Sequence, residues 1–129
     1  MSEQAKEAFL AYYKKEVENF MLESDEVKAQ YTQALSKPPF AEKRIELHHE
    51  LFAKADVNKD GLLNLDEWIS YNNLSYEVFK SNGVEKIVKT DHTASFDVFR
   101  ISGKEGISSD DILQAMAWRD EVRAAGKDK

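Results

Sequence analysis

A chain of 129 residues, 42% hydrophobic and 11% aromatic, is long enough to bury a core in one domain and too apolar for a disordered segment. A formal net charge of −6, with a pI near 5.1, argues against nucleic acid and anionic membrane as partners. With no cysteine, disulfides, thiolate metal sites and cysteine nucleophiles are excluded. The N-terminus has no apolar signal core, and no apolar run approaches the ~18 residues of a membrane span. The expectation is a soluble, cytoplasmic, monomeric protein.

In chain order, Phe9, Tyr13, Val17 and Phe20 recur at spacings of four, four and three, which predicts a one-sided helix from Glu3 to Leu22. Ser24 followed by Asp25 and Glu26 reads as an N-cap with acids in the first turn, opening a shorter helix to about Leu35. Ser36-Lys37-Pro38-Pro39 then breaks the helical pattern, because proline disfavours helix both at and before itself. Residues 1–36 thus form an N-terminal helical segment, and a second region runs from about 40 to 125. Its first helix, Ala41 to Ala55, carries Ile45, His48, Phe52 and Ala55 on one face.

That helix leads into Asp56-Val57-Asn58-Lys59-Asp60-Gly61-Leu62-Leu63-Asn64-Leu65-Asp66-Glu67. Side-chain oxygens fall at positions 1, 3, 5, 9 and 12 of these twelve residues, glycine at 6 and an apolar residue at 8. A solvated acidic turn needs none of this register. A loop that wraps a hard cation does, because it must point alternate oxygens inward and then turn sharply at a residue free to take positive φ. This segment resembles the EF-hand calcium-binding family. The resemblance implies one Ca²⁺ site built from Asp56, Asn58, Asp60, the Leu62 carbonyl, Asn64 through a water, and a bidentate Glu67. Mg²⁺ is the competing ion at rest. Asn64 also reads as the N-cap of the next helix with Glu67 at its N3 position, and Ser81-Asn82-Gly83 as that helix's end.

The last third carries a quieter repeat, 44 residues on. With Ile107 at position 8, position 1 falls on Arg100 and position 12 on Asp111; Phe96 and Phe99 precede the loop as expected core aromatics, and Ser108 can cap a helix from Ser109 to Arg123. In the family the two position-8 residues, here Leu63 and Ile107, pair across a short antiparallel ladder. The expected fold is therefore all-α: two helix-loop-helix units, about 41–80 and 91–123, joined by that ladder, with the N-terminal segment packed on them. The second loop lacks calcium chemistry, since Arg100 and Lys104 stand where carboxylates are needed and Glu105 where glycine is. Gly103 or Gly106 then absorbs the turn; Arg100 and Lys104 are expected to face solvent, with donation from either to Asp110 or Asp111, as an internal cation, the second reading.

No catalytic constellation emerges. His48 and His49 point about 100° apart on a helix and cannot share an ion. His49-Glu50-Leu51-Phe52-Ala53 lacks the second histidine of a zinc-protease helix, and His92 stands alone. The expected function is an intracellular calcium buffer or modest switch, closer to the sarcoplasmic and protist calcium-binding proteins than to calmodulin, and not an enzyme. The alternative is a light-chain-like adaptor or calmodulin-like sensor that grips a partner helix. A cleft filled by the N-terminal stripe favours the former, an open apolar cleft the latter.

Overall fold

Six helices and one two-stranded ladder make up the regular structure of residues 3–127, the part of the chain that the computed structural model describes. In order they are α1 (Glu3–Met21), α2 (Asp25–Leu35), α3 (Arg44–Ala55), β1 (Leu62–Leu63), α4 (Leu65–Ser81), α5 (His92–Phe99), β2 (Ile107–Ser108) and α6 (Ser109–Lys127). The polar punctuation of the sequence sets most of these limits. The Ser24 hydroxyl accepts from Val27 N and starts α2; Asn64 and Glu67 exchange side-chain and backbone bonds at the start of α4. α4 ends in a Schellman turn, with Val84 N donating to the Phe79 carbonyl, Gly83 N to Lys80, and Gly83 at φ 99°. α3 starts three residues later than the periodicity suggests. Phe40 N and Ala41 N both donate to the Lys37 carbonyl, so the proline segment forms its own turn before the helix begins.

β1 and β2 pair antiparallel with Leu63 opposite Ile107, and both residues are fully buried. They sit in the larger apolar cluster with Ala55, Trp68, Phe99, Ile112 and Trp118. Gly106 lets the strands approach: a Cβ there would lie 2.6 Å from the Leu63 carbonyl oxygen. Gly106→Ala is therefore expected to cost ~1–3 kcal/mol by overpacking against backbone that cannot move aside, read as a lower midpoint in denaturant titration.

α1 does not bury its predicted stripe as one face. Phe9 is fully buried, edge-on to Phe99 at 5.3 Å and 5.7 Å from Trp118, whereas Val17 is 39% exposed. The helix, about 28 Å long, passes from the larger cluster to a second one that includes Val27, Tyr31, Ala34 and Val84, with Phe20, Phe40 and Phe79 against it. Val17 falls between the two. α3 keeps His48, Phe52 and Ala55 of its expected face inward, with Leu51 buried beside them, and only Ile45, 51% exposed, lies outside. Phe96 also differs, being half-buried beneath the Arg100 guanidinium, so Phe99 alone of that pair lies in the core.

His48 ties the two helix-loop-helix units together. Its Nδ1 is 2.9 Å from the Tyr71 hydroxyl on α4 and its Nε2 2.7 Å from Ser109 at the start of α6. Burial, with the neighbouring His49, lowers its pKa from 6.5 to about 4. The folded state thus holds the neutral ring, and the unfolded chain binds the proton first. Stability from this group is present above about pH 6.5 and is lost as pH falls toward about 4. Thermal melts across that window should show the loss in the native protein and a flatter profile in His48→Gln.

Candidate metal centre

The chain between α3 and α4 is shaped by its own side-chain oxygens. Asp56 Oδ2 accepts from Gly61 N at 3.0 Å, Asn58 Oδ1 from Asp60 N at 3.2 Å, and Asp60 Oδ1 from Leu62 N at 3.0 Å. Lys59 and Gly61 take positive φ, 57° and 81°, which turns the backbone around the oxygens. Glu67 reaches back from α4, with Oε1 accepting from Asn64 N and Oε2 from Val57 N, each at 3.0 Å. Loop entrance and exit are thereby held by one carboxylate.

These bonds bring Asp56, Asp60 and Glu67 together, each offering an oxygen within 4.8 Å of the others. Two oxygens bound to one Ca²⁺ at about 2.3–2.6 Å can be no more than about 5 Å apart, so the cluster has the size of a coordination shell. Asp56 and Glu67 are buried, and Asp56 Oδ1 has no hydrogen-bond partner among the described residues. A buried carboxylate oxygen without a partner is costly, and a cation would relieve it. The donor set is hard oxygen throughout, which suits Ca²⁺ or Mg²⁺ and not a soft metal. Asn58 lies in the loop with its Oδ1 on Asp60 N, Leu62 opens β1, and Asn64 has its side-chain oxygen on Glu67 N, at the cap of α4.

The corresponding loop between α5 and α6 closes differently. Asp111, buried, accepts from Ser102 N, the Ser102 hydroxyl and Ser108 N, each at 3.1 Å, while Ser108 Oγ caps α6 by accepting from Asp111 N. Gly103, at φ 77°, takes the turn. The second reading, an internal cation on Asp110 or Asp111, is not met among the described residues. Arg100 donates to Asp97 at 2.9 Å and to the Lys104 carbonyl at 3.3 Å, and Asp111 takes three uncharged donors. The sequence places Ser102 at position 3 and Asp111 at position 12, and the hydrogen bonds that join them are the feature that spacing alone did not give. Position 2 differs as well: Ile101 is buried where Val57 is 76% exposed. With three of about four acceptor sites taken, Asp111 has less to offer an ion than Asp56, whose Oδ1 has no partner among the described residues.

Comparison of the chain with family models, curated proteins and solved structures gave no match.

Proposed function

We propose that the 56–67 loop is an EF-hand calcium site and that the protein is a cytoplasmic calcium buffer or modest calcium switch. Asp56, Asn58, Asp60, the Leu62 carbonyl, Asn64 and Glu67 are the ligand set, and the second loop is silent. The observation that carries this reading is the convergence of Asp56, Asp60 and Glu67 within 4.8 Å around an unpartnered buried oxygen. The hydrogen-bonded closure of the second loop by Asp111 supports a single site. Phe9 between Phe99 and Trp118 supports a buffer over an adaptor, because the chain's own helix occupies apolar surface that a partner helix would need.

Calorimetric titration of the full chain with Ca²⁺ tests the proposal. One ion per chain is expected, with a Kd of roughly 10⁻⁷–10⁻⁵ M and no metal–metal cooperativity. Trp68 should report the event. It follows Glu67 directly, donates Nε1–H to Ser95 at 2.9 Å and stacks on Tyr71, so a shift at the start of α4 changes its surroundings. Trp118, on α6, should respond less. Two equivalents of calcium would defeat the single-site reading, and none would defeat the proposal altogether.

A further inference from the structure

Arg119, on α6, lies at the seam of two cavities of about 230 Å³ each, both of which it lines together with Tyr71, Ser75 and Met116. Its Nε is buried without a hydrogen-bond partner, and no carboxylate lies within ion-pair distance of it among the described residues. The nearest acid in sequence, Asp120, is committed elsewhere: both of its oxygens accept from the Arg44 guanidinium, and Arg123 stands 4.0 Å away. Glu16 lines the first cavity but accepts from the Tyr12 hydroxyl at 2.5 Å. The second cavity has no acidic side chain in its wall. It has three arginines, Arg44, Arg119 and Arg123, facing Leu47, Leu51 and Phe79. His48, also in that wall, is neutral at pH 7.

A guanidinium carries five donors in a planar fork, and a buried donor such as Nε left unpaired is costly. Planar two-oxygen anions satisfy that fork bidentately. The rest of the wall mixes apolar Leu47, Leu51 and Phe79 with polar His48, Tyr71 and Ser75, and 230 Å³ is room for about eight non-hydrogen atoms at the volume a water takes in the liquid. We propose that the cavity between α3, α4 and α6 binds a small amphiphilic carboxylate, its head on Arg119 and its apolar tail against Leu47, Leu51 and Phe79. No residue of the 56–67 loop lines this cavity, so the proposal does not rest on the calcium reading.

The test is a titration of the full chain, ¹³C-labelled at its methionine methyls, with hexanoate. Met116 lies in the wall, and Met21, 58% exposed, is the internal reference. Hexanoate should move the Met116 resonance saturably and leave Met21 in place. The neutral isostere 1-hexanol should need about tenfold more, the equivalent of ~1.4 kcal/mol. Arg119→Met, which keeps the apolar stem, should abolish the difference between acid and alcohol, and Arg119→Lys should retain part of it. Equal responses to hexanoate and hexanol in the native protein would overturn the proposal whatever the variants do. So would a hexanoate response unchanged in Arg119→Met. Saturation by inorganic phosphate at the same concentrations would remove the role given to the tail.

Discussion

Glu67→Gln is expected to weaken calcium binding at least ~100-fold while leaving the helices in place. Both oxygens of Glu67 already accept backbone hydrogens, from Asn64 N and Val57 N, so the side chain is a structural clasp before it is a ligand. The amide of glutamine keeps one oxygen for the capping bond from Asn64 N and loses the bond from Val57 N, at a cost of about 1 kcal/mol to the fold. The charge is what disappears. Taking one partner from a buried ion pair costs about 3–5 kcal/mol, and the lower end of that range already exceeds two decades in Kd. The calorimetric titration proposed above, repeated on the variant beside a circular-dichroism melt, separates the two effects. A variant that binds as tightly as the native chain would remove Glu67 from the ligand set.

Phe9→Ala should lower stability by ~3–5 kcal/mol, the usual range for deleting a fully buried phenyl ring. For a domain of this size that is a fall in melting temperature on the order of 10 °C or more. Phe9 is the residue through which α1 enters the larger cluster, against both Phe99 and Trp118. Its removal should also uncover apolar surface. A hydrophobic dye should then bind the variant more than the native chain, and calcium should add little dye binding to the native chain. A large calcium-dependent gain in the native chain would mean that the ion exposes a groove, and the buffer reading would give way to a target-binding sensor.

Much of this architecture was legible in the sequence because it is written in local chemistry. Ser24, Asn64 and Ser108 accept the amide hydrogens expected of helix caps, and Gly83 closes α4 as a positive-φ cap. The equivalence of Leu63 and Ile107 followed from loop position alone, and the strands meet at that register. The carboxylates of the first loop likewise converge as their spacing requires. What escaped is packing between segments that share no repeat. In the second cluster Val27, Tyr31 and Ala34 recur at spacings of four and three on α2, but Val84, which joins them, lies in irregular chain and has no periodic signature. That segment is strapped to α2 and α4 by side chains: Glu85 N donates to Gln30, Val88 N to the Tyr31 hydroxyl and Thr90 N to the Tyr76 hydroxyl. The exposure of Ile45 and burial of Leu51 on α3 accompany two hydrogen bonds of His48 to residues far away in sequence. The unpaired state of Arg119 is equally non-local, since it depends on Arg44 claiming Asp120 from another helix. Periodicity can propose a face; it cannot choose among faces that differ by one residue's turn.

The seating of Phe9 also sets a threshold for anything that would dock in its place. An occupant supplied by the same chain competes at an effective concentration, on the order of millimolar for a short flexible tether, that no dilution of the protein reduces. If the α1 segment held its seat with an intrinsic Kd of ~1 μM, an outside helix of equal merit would see its apparent Kd raised ~1000-fold, to about millimolar. Rivals in the cell would be screened out by arithmetic rather than by poor fit.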